Sequence, residues 1–193
     1  MQAEEILYLV AKGDKSAFGQ LYAMFKDKVY NTCLSYLQQS SEAEEATQDV
    51  FVEIYHNAVS YKGGASVSTW IYRITVNKCL DRIRYNNRQK RFSFVTSIFN
   101  KDTGGLRHDK PHFEHPGVGA ENRERAGLLF SAIRQLPENQ QTAFILKQVE
   151  GLSQREIAQI MDIGEKAVES LLQRAKANLR KKLSDYYNSS EGL

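Results

Sequence analysis

The feature that most constrains this chain is a break. Apolar residues recur at helical spacing in both halves, and the spacing stops between Phe92 and Gly119, FSFVTSIFNKDTGGLRHDKPHFEHPGVG. That stretch holds two of the 3 prolines together with Gly104, Gly105, Gly117 and Gly119, and it has no sustained period. A structureless run of that length is out of place inside one compact core, so it reads as a flexible linker between two domains. The expected boundaries are a first domain at 1–91, a linker at 92–120 and a second domain at 121–193. Strand-like alternation is scarce on either side, which sets the fold class as all-α: two helical domains, the C-terminal one a helix-turn-helix.

Helices are expected at 2–12, 15–38, 42–59 and 67–90, then at 121–135, 138–149, 153–161 and 165–185. Several starts have a local cause. Ser41 precedes Glu42, Glu44 and Glu45, a polar cap followed by acids in the electropositive first turn. Pro137 suits a first helical position, where its missing N–H is not needed. Ser153 and Glu156 form an S-x-x-E capping box.

Composition narrows the function classes. With 193 residues and 41% hydrophobic content, each domain can bury a core. Lys plus Arg number 26 and Asp plus Glu 23, so the excess of +3 is informative only through its placement. Cys33 and Cys79 lie in apolar helical patterns without a CxxC, which reads as buried reduced thiols in a cytoplasmic protein. The start, MQAEEILYLVAKGD, lacks a basic n-region, and no apolar run approaches the roughly 20 residues of a membrane span, so neither a signal peptide nor membrane insertion is expected.

In the second half, EIAQIMDIGEKAVESLLQRAK (Glu156 to Lys176) has the spacing of two short helices joined by a tight turn. Ile157, Ala158, Met161, Ile163, Val168, Leu171 and Leu172 supply its small core. Asp162 and Gly164 make the turn, since both tolerate left-handed backbone. At about 100° per residue, Lys166, Ser170, Gln173 and Arg174 face away from that core. Gln and Arg can form bidentate bonds to base edges, and Lys and Ser can hold phosphates. The bland alternative is an amphipathic pair with a solvated basic face.

The first half carries two contrasting helices. In EAEEATQDVFVEIYHNAV (Glu42 to Val59), Ala46, Val50, Phe51, Ile54 and Ala58 form a buried stripe, and Gln48, Asp49 and Glu53 stay outside. An acidic, partly apolar face suits a protein partner rather than DNA. In VSTWIYRITVNKCLDRIRYNNRQKR (Val67 to Arg91), Tyr72, Val76, Cys79, Leu80 and Ile83 form a core stripe, while Val67, Trp70, Ile71 and Ile74 make a second apolar side early on. The helix then turns basic, with Lys78, Arg82, Arg84, Arg88, Lys90 and Arg91 against Asp81 alone. Aromatic groups beside a basic track suit unstacked single-stranded bases, and the Gly-containing loop SYKGGAS just before it leaves room for an extruded one. Taken singly, Trp70 reads as a core residue.

In this order and spacing, EAEEATQDVFVEIY, STWIYRITVNKCLDRIR and LPENQQTAFILKQVEGLSQREIAQIMDIGEKAVESLLQRAKANLRKKL resemble bacterial RNA polymerase sigma factors of the extracytoplasmic function group of the sigma-70 family, over about residues 8–91 and 122–185. The resemblance implies a transcription initiation factor rather than an enzyme, without cofactor or metal. It implies that Gln48, Asp49, Val50, Phe51, Glu53 and Ile54 dock on core RNA polymerase. It implies that Tyr61, Lys62, Ser68, Trp70, Arg73, Asn77, Lys78, Arg82 and Arg84 contact the promoter −10 element, the loop from Ser60 to Ser68 holding a flipped non-template base. It implies that Arg155, Lys166, Glu169, Ser170, Gln173, Arg174 and Lys176 read the −35 element, and that an anti-sigma factor is a further partner. The chain departs from the family pattern at Val76, Asp162, Gly164, Glu169 and Leu171, which bears chiefly on −35 affinity.

Two other readings compete. A free-standing helix-turn-helix repressor or activator on a palindromic operator explains Glu156 to Lys176 equally well, but not the aromatic-basic element of the first half. His108, His112 and His115, with Asp109 and Glu114 between them, could bind zinc or nickel. Their setting, a proline-bearing segment without Cys, favours a polar linker.

Overall fold

The structure, a computed structural model, describes residues 2–99 and 123–190. The first domain is built from α1 (Ala3–Ala11), α2 (Lys15–Leu37), α3 (Ser40–Asn57) and α4 (Val67–Phe99), with a 3-10 turn at Ala58–Ser60 after α3. The second contains α5 (Arg123–Arg134), α6 (Glu138–Gln148), α7 (Gln154–Met161) and α8 (Glu165–Ser190). No strand occurs among the described residues.

Long α2 is the spine of the first domain, packed along α1, α3 and α4. Leu21, Val29, Cys33, Val50, Ile54 and Cys79 are buried where these helices meet. The spine is defined at both ends by backbone chemistry. Asp14 accepts from the Ser16 and Ala17 amides at 2.8 and 3.1 Å, which satisfies two of the amide donors left over at a helix start. At the other end Gln38 turns left-handed at φ 58°, and its amide bonds the Leu34 carbonyl at 2.9 Å. In the second domain α8 packs against α5, α6 and α7 through Val168, Leu172, Ala175 and Leu179.

Three expectations shift. α3 begins at Ser40 with Gln39 at the cap, because the Ala43 amide already bonds the Gln39 carbonyl at 2.9 Å; Ser41 therefore lies inside the first turn. Pro137 is the cap residue rather than the first helical one, in extended geometry, with its carbonyl accepting from the Gln141 amide at 2.9 Å. Most consequentially, α4 does not stop at residue 90 but runs to Phe99, so the first eight residues assigned to the linker are helical. Nothing in FSFVTSIF breaks a helix, the nearest glycine being Gly104. Residues 100–122, including His108, His112 and His115, lie outside the described residues.

The turn of the helix-turn-helix follows from two local devices. Glu156 donates its amide to Ser153 Oγ at 3.2 Å, and the Ser153 amide donates to Glu156 Oε2 at 2.8 Å, the reciprocal bonds of a capping box. Asp162 ends α7 at φ 54°. Gly164 does not use the left-handed freedom that the turn suggests. It caps α8 instead, its carbonyl accepting from Ala167 and Val168 at 2.9 and 3.2 Å. A Cβ there would meet nothing within 4 Å. Gly164→Ser should therefore add a side-chain cap, raise stability by a few tenths of a kcal/mol and lift the thermal midpoint by about 1 °C. A lower midpoint by calorimetry would show that Gly164 is needed for its backbone.

Candidate nucleic-acid interface

α4 starts where Ser66 Oγ accepts the Thr69 amide at 3.1 Å, and buried Val67, Ile71, Thr75 and Cys79 fix the helix to the first domain. The preceding loop is closed by Tyr61, whose hydroxyl donates to the Ala65 carbonyl at 2.6 Å, and by Gly63 at φ 74°. This puts Tyr61 edge-on to half-buried Trp70, with ring centroids 5.7 Å apart. Ser60, Tyr61, Lys62, Gly64, Ala65, Trp70 and Arg73 line one side of a cleft of about 420 Å³. Gln159 and Asp162, from the end of α7, close the other side. Two aromatic rings with two cations beside them can take a planar, anionic ligand such as a nucleotide. Burial pushes the Tyr61 hydroxyl pKa up, so it remains a donor at neutral pH.

Further along α4 the cations are already engaged. Lys78 Nζ lies 2.9 Å from Glu53. Arg82 pairs with Glu45 and stands 3.9 Å from Asp49. Asn86 donates to Glu42 at 3.0 Å. The lysine holds the Glu53 carboxyl below its usual range, and the Glu45 bond raises the Arg82 pKa. The acidic face of α3 and the basic track of α4, assigned from the sequence to different partners, thus face each other.

On its other side α4 meets the second domain. Arg84 makes a forked pair with Glu138 at 2.7 and 3.2 Å and also reaches Asp81 at 3.3 Å. Arg73 donates to the Gln159 carbonyl. Buried Tyr72 donates to Glu150 Oε2 at 3.0 Å. Burial raises the pKa of both members of that last pair, and the Glu150 charge adds to the rise on Tyr72. Asn77 is exposed and Ser68 half-buried.

α8 keeps its outer face open. Arg155 at the start of α7 and Lys166, Glu169, Gln173, Arg174 and Lys176 on α8 are exposed, and half-buried Ser170 accepts from Arg174 Nη2 at 2.7 Å. Among these residues Glu169 is the acidic one, and exposed Glu165 stands one turn before it on α8.

α3 requires a correction. Val50, Phe51 and Ile54, expected to touch the polymerase, have 0%, 3% and 0% of their surface exposed. They hold α3 against α2, which leaves almost none of their surface for a partner. Gln48 and Asp49 are exposed and Glu53 half-buried, as a contact role needs. The apolar surface of α3 that does reach solvent is Val52 at 56% and Tyr55 at 37%, and exposed Tyr22 of α2 packs on Phe51. Tyr55 packs edge-on to Phe18 at 5.2 Å. The sequence held a signal for these residues: Val52 is an apolar residue on the acidic side of the stripe.

Cys33 and Cys79 are buried free thiols with their sulfurs 3.6 Å apart. Among the described residues no three His, Cys, Asp or Glu side chains converge on a metal-sized site, and no helix is long and apolar enough to cross a membrane.

Comparison with known proteins matches both halves. The family model described as Sigma-70 region 2 covers residues 21–89, and that described as Sigma-70, region 4 covers residues 127–179. The chain is 31% identical over 189 residues to the ECF RNA polymerase sigma factor SigW of Bacillus subtilis, covering 96% of this chain and 98% of that one. It is 31% identical over 176 residues to the ECF RNA polymerase sigma-E factor of Escherichia coli, covering 90% of each. Among solved structures, CnrH in complex with the cytosolic domain of CnrY shares the fold at a TM-score of 0.66 and 22% identity, over 94% of this chain and 97% of that one. The sigma factor RpoE in complex with the anti-sigma factor NepR, from Bartonella quintana, does so at 0.62 and 19%, over 86% and 96%.

Proposed function

Because this chain belongs to the extracytoplasmic function group of RNA polymerase sigma factors, within the sigma-70 family, we propose that it directs core polymerase to promoters through three surfaces. The exposed face of α3 docks on the polymerase. The outer face of α8 reads the −35 element, with Arg174 and Gln173 placed for base edges and Lys166 and Lys176 for phosphates. The head of α4 captures a −10 base extruded from the non-template strand.

The observation that carries this reading is the Tyr61–Trp70 pair at the mouth of a cleft that also holds Lys62 and Arg73. Stacking an extruded base there stabilises the melted strand, so recognition and opening become one step. A free-standing repressor has no use for such a cleft, which leaves that alternative unsupported. Base entry requires Gln159 and Asp162 to withdraw, so the second domain must move off α4 when the promoter is engaged. An anti-sigma protein would act by favouring the closed arrangement. The site of action is the cytoplasm, where polymerase and promoter are.

Run-off transcription with core polymerase on a promoter library tests the assignment. Arg174→Ala, on an exposed position, should lower transcription from −35-dependent promoters about tenfold and leave core binding unchanged. Tight, specific binding of the protein alone to a palindromic duplex would sink the reading.

A further inference from the structure

The pairing of α3 with α4 has a register. Along α3, Glu42, Glu45, Asp49 and Glu53 recur every three or four residues, on one side of the helix. Along α4, Lys78, Arg82 and Asn86 recur every four. The helices run in opposite directions, so the first acid meets the last partner: Glu42 with Asn86, Glu45 and Asp49 with Arg82, Glu53 with Lys78. Each rung of the row is thus filled.

We propose that this acidic row is an internal counterion for the DNA track of α4, which keeps the free protein from binding single strands and releases its cations when a partner takes the α3 face. The inference rests on the reading of α4 as a DNA surface and of α3 as a polymerase surface.

Three features support it. First, the row is too exposed to be there for folding. Glu45 and Asp49 are 63% and 60% exposed, against 27% for Arg82, and ion pairs in that setting add little to stability. Second, the carboxylate oxygens lie at contact distance from Lys78 and Arg82, where phosphate oxygens would have to sit. A strand must displace them, because one cation cannot serve both at full strength. Third, the exposure of Glu45 and Asp49 makes the exchange easy, since the acids are not locked in by burial. A polymerase surface that draws Asp49 and Glu53 to itself weakens their hold on Lys78 and Arg82. By linkage, DNA bound on α4 must then strengthen polymerase binding by the same factor.

The test uses the full-length protein and a fluorescent single-stranded oligonucleotide of mixed sequence. The variant E42Q/E45Q neutralises two acids outside the proposed polymerase contacts. It should bind the oligonucleotide roughly threefold to tenfold more tightly at low salt, with a salt dependence steeper by about 0.7 per cation released. In an R82Q background the gain should vanish, because the cation released is then missing. Unchanged affinity in E42Q/E45Q would overturn the proposal. So would a gain that survives R82Q, which would reflect net charge alone. The underlying functional reading is checked separately by R82Q and R84Q in holoenzyme. If both open promoters as the unmodified protein does, α4 is not the DNA track and the proposal falls with it. If they lose opening while E42Q/E45Q shows no gain, only the counterion role is lost.

Discussion

Val52→Asp should weaken binding to core polymerase by roughly 30-fold without lowering the melting temperature, while Phe51→Ala should melt the first domain. The difference lies in two adjacent residues of one helix. Val52 faces solvent, so a charge placed there remains hydrated in the free protein and is buried only when a partner covers it. Losses of about 2 kcal/mol are typical when the apolar centre of an interface is disrupted, and that is the 30-fold expected. Phe51 is 3% exposed, with its ring 4.6 Å from that of Tyr22 and 6.4 Å from that of Phe18. Truncating a buried Phe costs roughly 3–5 kcal/mol, a large share of the 5–15 kcal/mol that holds a typical domain together. Denaturant unfolding and fluorescence titration with core polymerase separate the two cases. Wild-type affinity in Val52→Asp, or a fully stable Phe51→Ala that has lost only binding, would restore the buried stripe as the contact surface.

That correction shows what helical periodicity can deliver. The spacing of Val50, Phe51 and Ile54 correctly marks an inward stripe, and a resemblance to a family then assigns the same residues to an interface. Only the packed structure decides, because a residue has one surface to give. Local chemistry was the most readable part. The Ser153–Glu156 box and the left-handed Asp162 depend on residues within one turn, and both stand where the sequence puts them. The extent of α4 was harder to see, since Phe92 to Phe99 lacks a polar–apolar period yet contains no helix breaker. Pairings between helices were not legible. Nothing in the sequence says that Glu45 meets Arg82, thirty-seven positions away, or that Tyr72 meets Glu150 across two domains.

The Tyr72–Glu150 contact sets up the second strong expectation: the two domains should separate as pH rises above the ordinary carboxylate range, and Glu150→Gln should keep them together. Glu150 is half-buried between the domains. One of its oxygens accepts from Tyr72, and the other, Oε1, has no partner among the protein atoms. Lys28 and Thr32 of α2 favour its charge, but burial outweighs them and the carboxyl pKa rises above its reference value of 4.5. Tyr36 on α2 is fully buried and approaches Thr142 of α6, yet neither hydroxyl has a well-formed bond. Permanent cores seldom leave such groups unsatisfied, so this seam has the character of one that opens. The closed state carries the higher pKa and so binds the proton more tightly. Its stabilisation by that proton is complete below 4.5 and is lost as pH climbs through the raised value. At neutral pH the carboxylate is therefore a strained charge in the seam. Glu150→Gln removes the charge and retains an acceptor for Tyr72, which should favour closure by about 1 kcal/mol, flatten the pH dependence and lower transcription several-fold. Tyr72→Phe removes the donor and should weaken closure at low pH as well, where the unmodified protein stays closed. Energy transfer between labels on Tyr8 and Lys181, both exposed, reads the separation directly. If Glu150→Gln opens the protein, the carboxylate is a clasp rather than a strained charge, and the seam is held by ionisation instead of in spite of it.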